Sequence, residues 1–104
     1  MILIKEKKQF EQEVLRAEVP VMVDFYADWC GPCKMLTPLL EELDVSRKDY
    51  LIAKVNVDEL PELAQQYRVA SIPTLLIFKG GENIKRRVGL VSRQELEQLA
   101  EGCE

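Results

Sequence analysis

The run Val21-Met22-Val23-Asp24-Phe25-Tyr26 is apolar at nearly every position and rich in β-forming residues, with no alternation of polar and apolar side chains. A strand of that composition has to be buried on both faces. Thr74-Leu75-Leu76-Ile77-Phe78 has the same character, so the chain must build a sheet covered on both sides. The intervening segments carry apolar residues at helical spacing and supply that cover. Phe10, Val14 and Leu15 predict a first helix over about Lys7 to Ala17. Met35, Leu36, Leu39, Leu40 and Leu43 predict a second over about Cys33 to Leu43, in which Pro38 should produce a kink.

The remaining elements follow from the same signals. Ile2 to Ile4 reads as a short first strand, Leu51 to Val57 as a third, and Leu60 to Tyr67 as a short helix with Pro61 in its first turn. Lys79-Gly80-Gly81-Glu82 is a turn leading into an edge strand over Ile84 to Val88. Ser92 with Glu95 three residues later forms a capping box that opens a last helix through Ala100. The predicted order is β-α-β-α-β-α-β-β-α, an α/β fold with a mixed central sheet and helices on both faces. With 104 residues and 47% hydrophobic content, one domain accounts for the whole chain, residues 1–104.

Charge narrows the function classes. Fourteen basic residues are scattered among eighteen acidic ones, for a formal net charge of -4, which argues against nucleic acid as a partner. The start, Met1-Ile2-Leu3-Ile4-Lys5-Glu6-Lys7-Lys8, does not have the form of a secretory leader. No apolar stretch approaches the roughly 18 to 20 residues that span a membrane. A cytoplasmic protein is expected.

The chain has three cysteines, and the odd number argues against a secreted disulfide scaffold. Cys103 reads as a spare thiol in a terminal tail. Cys30 and Cys33 stand in Trp29-Cys30-Gly31-Pro32-Cys33, between a buried strand and a helix. At i and i+3 of a first helical turn, two Cα atoms lie about 5 to 6 Å apart, a separation a disulfide accepts. Unpaired N–H groups at the helix N-terminus favour a thiolate on Cys30 and make it the nucleophile, with Cys33 one turn deeper as the resolving thiol. Gly31 removes bulk beside the attacking sulfur. Pro32 stiffens the first turn, and the two together tune the redox potential. A zinc site is the main competitor for any such pair, although the chain has no histidine and only one further cysteine.

Asp24 forms a second point of interest. Burial in an apolar strand is costly to a carboxylate and should raise its pKa toward neutrality, where it exchanges protons near working pH. Lys54 on the neighbouring strand is its candidate partner, either as a modulator or as one half of a structural ion pair.

Val23-Asp24-Phe25-Tyr26-Ala27-Asp28-Trp29-Cys30-Gly31-Pro32-Cys33-Lys34 resembles the signature of the thioredoxin family, and Ser71-Ile72-Pro73-Thr74 resembles that family's cis-proline loop. The similarity runs from about Phe10 to Leu99. Tyr26 is a departure, standing where many members carry a second tryptophan. The segment from Asp44 to Tyr50 is slightly short, leaving the length of the second helix open.

The resemblance implies a cis Ile72–Pro73 bond packed beside the cysteines. It also implies a substrate surface made by Trp29, Ile72, Pro73 and Gly89, and proton transfer between Asp24 and Cys33 modulated by Lys54. The implied activity is reduction of disulfide-containing protein substrates by a Cys30–Cys33 dithiol. A thioredoxin reductase then recycles the pair, with no bound cofactor or metal and with the chain acting as a monomer. A binding module using the same surface without turnover, and a zinc-binding structural protein, are the readings from other classes.

Overall fold

A computed structural model of the chain describes residues 1–46 and 49–101; Cys103 lies outside the described residues. The described elements are β1 (Ile2–Ile4), α1 (Lys7–Phe10) continued by a π-helical stretch (Glu11–Leu15), β2 (Val21–Tyr26), α2 (Gly31–Ser46), β3 (Leu51–Asn56), α3 (Pro61–Gln66), β4 (Thr74–Lys79), β5 (Glu82–Val88) and α4 (Arg93–Ala100). The strands form one sheet in the order β1-β3-β2-β4-β5. β1, β3 and β2 run parallel, whereas β4 and β5 are antiparallel to their neighbours. Among the described residues no helix is long and apolar enough to cross a membrane.

Strand alternation sorts the core into two layers. Val21, Val23 and Phe25 of β2 pack with Phe10, Val14, Leu63 and Phe78 on the side of α1 and α3. Met22 packs with Leu36, Leu40, Ile52, Leu75, Ile77 and Leu96 on the side of α2 and α4. Every β2 residue from Val21 to Phe25 is buried, as its composition requires. The same alternation puts Asp24, two residues from Met22, on the side covered by α2.

Several boundaries differ from the expected ones. α2 begins at Gly31 rather than Cys33 and continues to Ser46 rather than Leu43. Pro32 has no N–H to leave unpaired and fits a first turn, so the helix starts directly after Cys30. Pro38 lies within this helix, where it has no N–H to offer the Lys34 carbonyl. The first helix is shorter and changes register. Arg16 N–H reaches the Glu11 carbonyl at 3.1 Å, and this wider turn sets Phe10 and Leu15 on one face.

At the C-terminus of α3, Arg68 has φ 55. Its N–H donates to the Gln65 carbonyl at 3.1 Å, and Val69 N–H donates to the Ala64 carbonyl at 2.8 Å, the paired bonds of a Schellman cap. The β4–β5 turn uses Gly80 and Gly81 at φ 60 and 83, matching a type I′ hairpin. Ser92 accepts from Glu95 N–H, and the Glu95 side chain accepts from Ser92 N–H, so the capping box forms as its sequence indicates.

Candidate active site

The site gathers at the C-terminal ends of β2 and β3, the start of α2 and the loop entering β4. As β2 ends, Cys30 N–H donates to the Ala27 carbonyl at 3.3 Å, and the Cys30 carbonyl accepts the bond from Lys34 N–H at 3.2 Å that opens α2. Cys30 therefore sits at the mouth of the helix, where backbone N–H groups have no helical partners. One of these, Cys33 N–H, points at Cys30 Sγ at 3.2 Å. The two cysteines are joined as a disulfide, with Cα atoms 5.2 Å apart.

Exposure does not rank the cysteines: Cys30 is 4% and Cys33 2% exposed. Their surroundings differ. Both pack with Ala27, Tyr26, Val57 and Ile72, but Cys30 Sγ lies 3.9 Å from the Ile72 carbonyl oxygen. Cys33 lines an open groove of about 340 Å³ with Tyr26, Ala27, Asp28, Lys34, Thr37 and Lys54. Pro32 and Gly31 are exposed in the first turn of α2. A Cβ on Gly31 would meet nothing within 4 Å, so the space beside the cysteines is open.

The Ile72–Pro73 bond is cis, as the resemblance implied. Pro73 is buried and Ile72 half-buried. The Pro73 carbonyl accepts from Gly89 N–H at 2.8 Å, tying the loop to the end of β5. Gly89 has φ 93, a conformation that favours glycine. Trp29 is 71% exposed, and its indole Nε1–H donates to Asp58 Oδ2 at 2.8 Å.

Asp24 is fully buried. Among the described residues neither of its oxygens has a hydrogen-bond partner. Burial raises its pKa to about 7, against a smaller opposing pull from Lys54. Lys54 is its register partner across the parallel β2–β3 pair, yet the two side chains make no direct ion pair among the described residues. The ammonium donates instead to Thr37 Oγ1 at 3.2 Å and lies 4.3 Å from the centroid of the Tyr26 ring. Tyr26, in the position of the departure noted above, thus forms one wall of the lysine's site. Its own pKa is raised by burial and by the negative charges of Asp28, Glu59 and Asp24.

The protein-family model for thioredoxin matches residues 1–102. A thioredoxin of Chlamydia caviae is 53% identical over 79 residues, covering 76% of this chain and 78% of its own. "Thioredoxin 1" of Nostoc sp. is 48% identical over 93 residues, covering 88% and 87%. The chain belongs to the thioredoxin family. A solved mutant thioredoxin from Halobacterium salinarum has the same fold at a TM-score of 0.89 and 37% identity, over 98% of this chain and 88% of its own. This member of the thioredoxin family is a thiol–disulfide oxidoreductase, and Cys30 and Cys33 are its redox-active pair.

Three residues of the site escape a sequence reading. Thr37 holds the Lys54 ammonium, and Asp58 holds the Trp29 indole. Asn56 Oδ1 accepts from Asp58 N–H at 2.9 Å and from Glu59 N–H at 3.4 Å, shaping the turn that presents Asp58. The signal for that turn was the pair Asn56 and Asp58 at the end of a strand, a common turn composition. Nothing local marks Thr37.

Proposed function

We propose that the chain reduces disulfides of protein substrates with Cys30 as the attacking thiolate and Cys33 as the resolving thiol. The observation that carries this division is the Cys33 N–H directed at Cys30 Sγ at 3.2 Å. A backbone donor at a helix N-terminus stabilises negative charge on that sulfur in the dithiol state.

In the proposed cycle the Cys30 thiolate attacks one sulfur of the substrate disulfide, forms a mixed disulfide and expels the first substrate thiolate. Asp24 accepts the Cys33 proton through a bridging water, and the Cys33 thiolate attacks Cys30 Sγ. The mixed disulfide breaks, the second substrate thiolate leaves, and Cys30–Cys33 is oxidised, with two electrons passed to the substrate. A thioredoxin reductase returns two electrons to the pair. Asp24 suits its part because its pKa of about 7 lets it take and release protons near neutrality. Lys54 modulates the carboxyl electrostatically, and Gly31 and Pro32 tune the potential.

Substrate docks on Trp29, Ile72, Pro73 and Gly89. The exposed indole offers apolar area, and the Ile72 backbone beside Cys30 offers strand-like pairing to an extended peptide. A monomer in the cytoplasm is the proposed working form, since a close reactive pair suits a reducing compartment.

The test is reduction of a protein disulfide with dithiothreitol as the electron source. Wild type accelerates it, Cys30→Ser abolishes the acceleration, and Cys33→Ser accumulates mixed disulfide without sustained turnover. No acceleration by wild type sinks the reductase assignment; full multiple turnover by Cys33→Ser sinks the division of roles.

A further inference from the structure

Lys54 and Asp24 are opposite charges on adjacent strands, in register and on the same side of the sheet. Attraction between such neighbours leads one to expect an ion pair, above all for a carboxylate with no donor among the described residues. The ammonium turns to Thr37 instead. The single Thr37 hydroxyl proton is donated to the Cys33 carbonyl at 3.2 Å, which leaves the oxygen lone pairs to accept from Lys54 Nζ at 3.2 Å. A helical threonine bonded to the carbonyl four residues back is commonplace. Acceptance from a lysine only 9% exposed is not, because that hydroxyl supplies the ammonium's hydrogen-bond acceptor next to a bare carboxyl.

We propose that Thr37 is a positioning residue of the proton-transfer site: its hydroxyl, anchored on the Cys33 carbonyl, holds the Lys54 ammonium off the Asp24 carboxyl and keeps that carboxyl able to carry a proton. A direct ion pair would lock Asp24 in the ionised form, useless for exchanging a proton with Cys33. The inference rests on the assignment of Asp24 as proton acceptor for Cys33. The other titratable or charged groups around this region are Tyr26 and Asp28 at the end of β2, Cys33 and Lys34 on α2, and Glu59 after β3. From β4 the register partner of Asp24 is the apolar Leu75.

The experiment follows the Asp24 carboxyl carbon by NMR through a pH titration of the oxidised protein. In Thr37→Val, which keeps the shape and loses the hydroxyl, Lys54 turns to Asp24 and the titration midpoint falls by about 0.5 pH unit or more, a factor of about 3 in proton affinity. Thr37→Ser restores the wild-type midpoint. In a Lys54→Met background, Thr37→Val leaves the midpoint where Lys54→Met alone puts it. Thr37→Ala replaces Thr37→Val should the valine variant not fold.

An unchanged or raised midpoint in the hydroxyl-free variant overturns the proposal. So does a fall that persists without Lys54, or a failure of serine to restore the midpoint. The oxidised protein performs no turnover, so this result is independent of whether Asp24 serves Cys33. That separate question is read from the rate of mixed-disulfide resolution in Asp24→Asn.

Discussion

A carboxyl group sealed inside a sheet resists ionisation, and Asp24, with no donor on either oxygen among the described residues, shows how far that goes. The folded protein keeps its proton up to about pH 7, whereas the ordinary value is 3.8. Between those values the unfolded chain has lost a proton that the folded chain retains. Stability from this group is therefore complete below pH 3.8 and is lost as pH rises through about 7. Asp24→Asn removes the titration, so its stability should gain on wild type as pH rises, by up to about 4 kcal/mol above neutrality. Denaturant unfolding of both oxidised proteins across this range checks it, and a constant difference would contradict the assignment. The raised pKa was foreseeable from one charge in an apolar run. The partner of Lys54 was not, because Thr37 lies 17 residues from it along the chain.

Elements follow local rules wherever a rule is specific. Ser92 and Glu95 mark the start of α4 correctly because both cap bonds join residues three apart. The apolar stripe marks the start of α2 two residues late, because Gly31 and Pro32 in its first turn are exposed and carry none of that stripe. The end of α3 departs from the usual choice: its left-handed position holds Arg68 rather than glycine. The Arg68 carbonyl, which accepts from Arg86 Nη1 at 3.2 Å, belongs to the backbone and survives replacement of the side chain. Arg68→Gly should stabilise the fold by about 1 kcal/mol by relieving the left-handed cost. Thermal unfolding measures it; a lower melting temperature would show that the arginine side chain contributes more than its backbone conformation costs.

At the scale of the whole molecule, the two core layers have different tasks. The layer beneath α1 and α3 is joined by Phe10, Tyr67 and Phe78, whose ring centroids lie 5.1 to 5.7 Å apart. These rings come from three separate parts of the chain, so Phe10→Ala should cost about 3–5 kcal/mol. The Cys30–Cys33 chemistry should persist in the molecules that remain folded, because α2 covers the other side of the sheet. Denaturant unfolding and disulfide reduction on the same preparation separate the two effects. Loss of activity in fully folded Phe10→Ala would mean that the layers are coupled.

Element order, burial of β2 on both faces and the pairing distance of Cys30 with Cys33 were all present in the amino-acid string. Each depends on periodicity, propensity or spacing over a few residues. The approach of the Ile72 carbonyl to Cys30, the hold of Asp58 on Trp29 and the turn of Lys54 from Asp24 toward Thr37 were decided only on folding. These contacts join segments far apart in sequence, and their distances exist only once the strands have taken the order β1-β3-β2-β4-β5 and α2 has docked across the sheet.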